Sequence, residues 1–424
     1  MNRFKRVAAS LVLCCACAID RARADDSPSF IDGLTKAGVT PVLTYEGDEA
    51  TNTSGGERRG TTYTGNLHVQ LTLDGDHLVG LPGLTAHLDG LWVNGGQPSK
   101  LVGDAQGVSS IAAPDTVRLY EAWIQFNLPG NGLSILAGRY DLNTEFYRLV
   151  SADLFLNSSF GIGPEFGQSG FLGPSIFPDT SLGVRIAYKP SVNTVVRAAI
   201  LDGAPLDRQD GSPDPFNAHD GVLLVAEAAL LTRPSVLDEP ADHRFRIGRR
   251  GTPFAYDDKI AVGAWYYTAN FNDLNPGPSA GNPVRHHGEG GAYVLLDRLL
   301  FEWGGDVKQR LTSFIQFGVA DQVVDRFGTF VGTGLVLSGL LPNRPNDEIG
   351  LAMAMARNSS SYLTGQQQAG WPVNAAETSI ELSYLAQVAS WLAIQPDVQY
   401  VIHPNTDPRL ASAVVAQFRI ELTY

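Results

Sequence analysis

VVAQFRIELTY, residues 414–424, alternates apolar with polar side chains almost without exception. Its even-numbered positions are apolar, whereas Gln417, Arg419, Glu421 and Thr423 between them are polar. Successive side chains of a strand point to opposite faces, so a period of two predicts a strand with one face in an apolar medium and the other in a wet one. The apolar positions are Val414, Ala416, Phe418, Ile420, Leu422 and Tyr424.

The same period recurs along the chain, for example in TTYTGNLHVQLTL (61–73), SLGVRIAYK (181–189) and SIELSYLAQV (379–388). Strands of about ten residues with alternating hydrophobicity are typical of membrane barrels, in which only alternate residues meet lipid. The pattern predicts an all-β fold, a closed antiparallel transmembrane β-barrel of about 16 strands. The predicted strands begin near residues 38, 61, 84, 117, 133, 181, 194, 221, 258, 290, 309, 328, 347, 376, 391 and 412.

Short turns and long loops alternate between these strands, as in outer-membrane barrels with short periplasmic turns. Turn residues fill 129–132, 189–191 and 342–345. The long loops are 95–115, 143–180 and 206–220. Because 143–180 carries the apolar LFLNSSF, we expect it to fold into the lumen and narrow it. The segment 232–257 is long where a short turn is expected, which indicates either an insertion or a miscounted strand.

Residues 1–24 have the pattern of a secretory signal peptide, with Arg3, Lys5 and Arg6 before an apolar stretch and Ala22-Arg23-Ala24 as cleavage site. We therefore expect 25–424 to be the outer-membrane barrel domain. A lipoprotein anchored at Cys17 is the alternative. All three cysteines lie in the signal, so the mature chain would contain neither a disulfide nor a cysteine metal site.

The chain is acidic, with a formal net charge of -13 that becomes -17 without the signal. This argues against a nucleic-acid partner, which needs a basic surface. The sequence has no HExxH motif, no GxGxxG spacing in a βαβ context and, outside the signal, no cysteine that could act as a nucleophile. We therefore expect no enzyme activity, cofactor or metal, although the acidic run Asp207, Asp210, Asp214 and Asp220 leaves a Ca²⁺ site open.

Several longer motifs resemble those of the carbohydrate-selective porins of the OprB family. They include LYEAWIQ (119–125), AGRYDLNTEF (137–146), LFLNSSFGIGPEFGQSG (154–170) and LSGLLPNRPNDEIGLA (337–352). The resemblance spans nearly the whole chain after the signal. It implies a Gram-negative outer-membrane barrel, surrounded by lipid and lipopolysaccharide, through which small neutral sugars, glucose above all, diffuse passively into the periplasm. Its oligomeric state is left open.

A filter for neutral sugars needs hydrogen-bonding groups and an aromatic face that together bind weakly. If Tyr120, Ala122, Ile124 and Phe126 face lipid, Glu121, Trp123 and Gln125 face the lumen; if Tyr140 and Leu142 face lipid, Arg139 and Asp141 face the lumen. Glu121 and Arg139 lie in the family motifs and are the first choices for the constriction. The whole predicted set is Glu121, Trp123, Arg139, Asp141, Arg185, Asn157, Phe160 and Glu165.

Each of these residues also has a structural interpretation. Inward arginine and glutamate side chains pair within barrel walls, Trp123 would pack under a folded-in loop, and Asn157 would cap a turn. Three other functions stay possible for the whole chain. They are a general, weakly cation-preferring pore, an outer-membrane barrel enzyme, and a plugged structural barrel.

Overall fold

Sixteen antiparallel strands close into one barrel in the computed structural model, which describes residues 30–128, 130, 132–205, 215–217, 219–232, 256–275, 284–305, 309–341 and 344–424. Each strand pairs with its neighbours in sequence, and β1 pairs with β16. The strands are β1 Val39–Ser54, β2 Gly60–Asp74, β3 Leu84–Gly95, β4 Thr116–Leu128, β5 Leu133–Tyr140, β6 Ser181–Ser191, β7 Thr194–Asp202, β8 Val222–Thr232, β9 Asp258–Asn272, β10 Arg285–Trp303, β11 Gln309–Ala320, β12 Phe327–Ser338, β13 Glu348–Asn358, β14 Ala376–Ala389, β15 Leu392–Ile402 and β16 Ala413–Thr423.

One short helix precedes β1, and the others lie between strands. They are α1 Phe30–Lys36, α2 Gly75–Val79, α3 Ser99–Val102, α4 Pro164–Gly167 and α5 Ser360–Gln368, with 3₁₀ turns at Leu142–Thr144, Ala152–Leu154, Ser158–Phe160 and Pro404–Thr406. Among the residues listed above, none of these helices has the length and apolar character needed to cross a bilayer.

The closing strand confirms the prediction made from VVAQFRIELTY. Phe418 and Ile420 are exposed on the outer face, whereas Arg419 and Glu421 are buried inside. Their surroundings differ from the expected water, because Arg419 Nε and Nη2 donate to the Asp48 carboxylate of β1 at 2.7 and 2.8 Å. The seam between the first and last strands is therefore joined by an ion pair as well as by the ladder.

The hydrophobic core lies inside the barrel. Apolar residues of the segment 141–180, which connects β5 to β6, pack against inward-facing aromatic residues of the wall. Phe166 stacks on Trp265 with 4.9 Å between ring centroids, and Phe160 meets Phe314 edge-on at 5.8 Å. Outward residues such as Val117 and Ile124 are exposed instead. This inversion of burial is expected of a barrel whose outer face meets lipid.

The predicted facing is wrong on parts of β4 and β5. Tyr120, expected to face lipid, is buried inside because a β-bulge between the Asp89–Glu121 and Gly90–Leu119 pairs puts one extra residue in β4. Tyr140 and Leu142 were also expected to face lipid, and both are buried in the inner core. On β5 the expected facing is reversed, because Tyr140 lies opposite the buried Ser181, whereas Arg139, expected to face the lumen, lies opposite Leu182 of the outward row. After Tyr140 the chain turns into a 3₁₀ helix capped by Asp141, so the strand alternation does not extend to Leu142.

Several sequence predictions lie outside the described residues. These are the signal at 1–24, its three cysteines, most of 232–257, and the acidic residues Asp207, Asp210 and Asp214.

Candidate functional site

The segment 141–180 is fixed by carboxylates on the inward faces of distant strands. Asp297 on β10 accepts from the Ser151 backbone N–H at 3.0 Å. Glu381 on β14 accepts from the N–H groups of Leu156 and Asn157 at 2.5 and 3.1 Å. Buried loop backbone needs such acceptors because water does not reach its N–H groups.

The loop 96–115 uses the same kind of anchor. Glu377 on β14 accepts from the Ala105 and Gln106 N–H groups at 2.8 and 2.9 Å. The two loops are also joined to each other, since Ser110 N donates to Leu156 O at 2.7 Å. The sequence predicted this loop but not its inward packing.

We call Glu289 and Asp297 on β10 together with Glu377 and Glu381 on β14 the acidic wall. Glu289 completes the set by accepting from the Gly170 N–H at 2.7 Å. All four carboxylates are buried and accept from loop backbone. The negative charge of the sequence thus has a structural use that composition alone does not reveal.

A cavity of about 130 Å³ lies on another part of the inner surface, beside the short β4–β5 and β6–β7 turns. It has room for several water molecules. Arg185 on β6 and Arg197 on β7, which we call the arginine wall, line it together with Glu145 from the segment 141–180. Lys189 at the end of β6 also lines the cavity.

Arg185 is held rigidly at this cavity. Its Nε donates to Glu145 at 2.7 Å, its Nη2 to Gln125 at 2.7 Å, and its Nη1 to Ser134 Oγ at 2.8 Å. Arg197 lies in the same cluster, with Nη1 3.6 Å from Glu227 and Nε 4.0 Å from Glu145. Arginine and carboxylate side chains therefore lie together here with their planes preset for hydrogen bonding.

The eight predicted site residues do not form one ring. Of the eight, only Arg185 lines the cavity. Glu121, Trp123, Arg139, Asn157, Phe160 and Glu165 are buried, and Asp141 is half-buried. Their part in the passage stays a prediction.

The contacts of the residues from β4 and β5 are structural in kind. Glu121 Oε1 accepts from the Asp141 N–H at 2.8 Å, and Asp141 accepts from Tyr120 Oη at 2.5 Å. Trp123 stacks on His87 with 5.0 Å between ring centroids. Arg139, in register with Ala122 and Leu182, donates from Nε to Thr180 Oγ1 at 2.8 Å.

The predicted residues of the long loop also have structural contacts. Asn157 caps the 3₁₀ turn by accepting from Ser159 N at 3.1 Å, as the structural interpretation expected, and its Nδ2 donates to Gln399 at 3.1 Å. Glu165 accepts from Tyr147 Oη at 2.7 Å. Burial raises the pKa of the Glu165 carboxyl to about 7. The hydrogen bond from Tyr147 acts in the opposite direction, but its effect is smaller than that of burial.

Glu145, Arg197 and the acidic wall were not predicted from the sequence. Arg197 and Glu381 each alternate with apolar neighbours on their strands, which was a usable signal for inward facing. Glu145 had no such signal, because it lies in the loop and reaches Arg185 only through the inward turn after β5.

Comparison with known proteins agrees with this architecture. The family model described as carbohydrate-selective porin, OprB family, matches residues 58–424. The chain is 22% identical to Porin B of Pseudomonas aeruginosa over 419 residues, which covers 92% of this chain and 88% of that protein. It is 21% identical to the putative porin QuiX of Acinetobacter baylyi over 338 residues, which covers 72% and 69% of the two chains.

The high-pH structure of Pseudomonas putida OprB superposes with a TM-score of 0.77 at 21% identity, covering 92% of this chain and 96% of that one. The fold is therefore that of a porin barrel of the Gram-negative outer membrane, a channel and not an enzyme. The family match covers most of the chain, and this protein belongs to the OprB family of carbohydrate-selective porins.

Proposed function

We propose that this protein lets small neutral sugars, monosaccharides of the glucose type, diffuse passively into the periplasm, and that the arginine wall with Glu145 is where they bind. The observation that carries the proposal is the cavity at which Arg185, Arg197 and Glu145 meet. We further propose that the segment 141–180 narrows the passage, because its backbone is fixed to the inner wall at several points.

The chemistry of the cavity suits a neutral polyol. A sugar hydroxyl both donates and accepts, and the cavity offers guanidinium donors next to a carboxylate acceptor. Arg185 and Glu145 already neutralise each other at 2.7 Å. A charged solute would therefore bind here more weakly than beside an arginine or a glutamate that had no charged partner. Multiple weak contacts of this kind allow a solute to enter and also to leave.

Single-channel conductance in a planar bilayer, titrated with glucose and then with a neutral disaccharide, tests the proposal. We expect saturable, concentration-dependent reduction of the ion current by glucose. Arg197→Ala should weaken this block about tenfold, since a hydrogen bond to a charged group contributes about 1.5 kcal/mol. Arg357→Ala, at an exposed position of β13, is the matched control and should leave the block unchanged.

Two results would contradict the proposal. A steady current unaffected by any sugar, with preference for cations, would indicate the general cation-preferring pore. An equal block in the wild type and in Arg197→Ala would place the sugar elsewhere in the lumen.

A further inference from the structure

We propose that His87, Asp89 and Glu121 form a binding site for a divalent cation of the zinc type in the barrel wall. The ligand atoms of the three side chains all lie within 4.8 Å of one another, and all three residues are at most 3% exposed. Buried carboxylates are stable when they are paired or bound to metal. The proposal concerns the wall beside β3 and β4 and does not depend on where sugars bind.

The strand ladder brings these residues together. His87 and Asp89 are two positions apart on β3 and so share its inward face. Asp89 lies opposite Glu121 in register, and His87 lies opposite Trp123. The paired backbones of β3 and β4 fix these three positions, so only side-chain rotations are needed to bring the ligand atoms onto one ion.

The distance between His87 Nε2 and Glu121 Oε2 is 3.8 Å. This is longer than a hydrogen bond. Two ligand atoms that each lie about 2.0–2.2 Å from one zinc ion are separated by roughly 3–4 Å. The gap between imidazole and carboxylate therefore has the size that a bridging metal ion requires.

Neighbouring side chains orient the ligands. His87 Nδ1 is 3.0 Å from Thr72 Oγ1, which leaves Nε2 directed at Glu121. Gln70 Nε2 donates to Asp89 at 2.7 Å, and His68 Nδ1 lies 2.9 Å from the same carboxylate. Hydrogen bonds to the far side of metal ligands are typical of built metal sites.

The donor set indicates which ion would bind. One imidazole nitrogen with two carboxylates suits zinc and similar borderline ions, whereas calcium and magnesium prefer oxygen alone. Since Glu121 also accepts from the Asp141 N–H at 2.8 Å, a bound ion would fix the first residue of the segment 141–180. We therefore expect the ion to raise the unfolding temperature of the barrel.

Zinc alone is the probe in the first experiment. The protein from residue 25 onward is refolded, stripped with a chelator, exposed to Zn²⁺, desalted and assayed by elemental analysis and thermal unfolding. We expect one retained zinc per chain and a higher unfolding temperature in the wild type, with both effects lost in His87→Gln and Glu121→Gln. His77→Gln removes an exposed histidine 2.8 Å from Asp74 outside the cluster and should behave as the wild type does.

Equal retention of zinc by the wild type and by His87→Gln would overturn the proposal and indicate adventitious binding at surface histidines. If His87→Gln fails to fold, the visible spectrum of the Co²⁺-loaded wild type decides the question. Intense absorption bands of four- or five-coordinate cobalt with a sub-millimolar midpoint would support the site. A spectrum of hexa-aqua cobalt alone would overturn it.

Discussion

The acidic wall and the arginine wall line the same barrel, but the loop packs directly against the first and leaves a cavity at the second. On the acidic wall, Glu381 and its neighbours accept hydrogen bonds from loop backbone, and the space between loop and wall is filled. On the arginine wall, Arg185 and Arg197 extend toward Glu145, and a cavity remains. Both walls carry charge on inward strand positions, so charge alone does not decide which part is open.

The kind of partner explains the difference. A carboxylate is short and accepts only, so it binds backbone N–H groups directly and draws the loop against the strand. A guanidinium donates only, so it cannot satisfy an N–H. Arg185 instead contacts the loop through the Glu145 side chain at 2.7 Å, and the cavity lies beside this pair. In this account the acidic wall positions the loop and the arginine wall borders the route for solute.

Among the substitutions considered, Glu381→Ala should most strongly disturb the packing of the loop against the acidic wall. It leaves two buried N–H groups, those of Leu156 and Asn157, without their acceptor, at a cost of about 3 kcal/mol in the free energy of unfolding. We expect a lower unfolding temperature and a larger, noisier single-channel conductance as the loop leaves the wall.

Glu57→Ala, in the exposed connection after β1, is the control for removing one negative charge. An unchanged conductance in Glu381→Ala, despite correct folding by circular dichroism, would show that this carboxylate does not hold the loop in place.

Gly318→Ala tests how closely helix α4 packs against β11. A methyl group at this position would overlap the Glu165 carboxyl. We expect destabilisation of about 2 kcal/mol from overpacking, measured by thermal unfolding. The cost should largely disappear in the Glu165→Ala background, and Gly305→Ala, where a methyl group meets nothing within 4 Å, is the control. A cost that is the same in both backgrounds would refute the contact.

The smallest expected effect is on pH dependence and comes from Glu165, since the loop can relax to hydrate its carboxylate. Its folded pKa of about 7 exceeds its ordinary value of 4.5, so the packed loop favours the protonated form. This stabilisation is complete below about pH 4.5 and is lost as pH rises to about 7. Relative to Glu165→Gln, the wild type should become less stable across that window in thermal unfolding; a constant difference would contradict the assignment.

Much of the barrel was predictable from alternation, because an outer face in lipid imposes one residue class on every second position. The predicted strand starts agree with the structure within one residue, with the exception of β10. That strand begins at Arg285 instead of near 290, since Gly288, Gly290 and Gly291 carry no side chains from which a period could be read.

The site was less predictable because its residues meet through the loops. Strand alternation correctly placed Glu121 and Arg185 on the inner face, but it could not reveal that Glu121 contacts the Asp141 backbone while Arg185 lines a cavity. The β-bulge at Tyr120 likewise reverses the facing of one residue, although β4 itself has no glycine or proline at this position. Such contacts depend on the path of 141–180, which local patterns do not determine.

Substituted-cysteine accessibility tests the contrast between the two walls most directly, because a chain from residue 25 onward contains no cysteine of its own. Ser134→Cys places a thiol at the cavity beside Arg185, and Ser379→Cys places one between the acidic-wall residues Glu377 and Glu381. A water-soluble thiol reagent should reduce the current through Ser134→Cys channels rapidly and leave Ser379→Cys channels unchanged. Equal modification of both, or faster modification at Ser379, would contradict the assignment of the passage to the arginine wall.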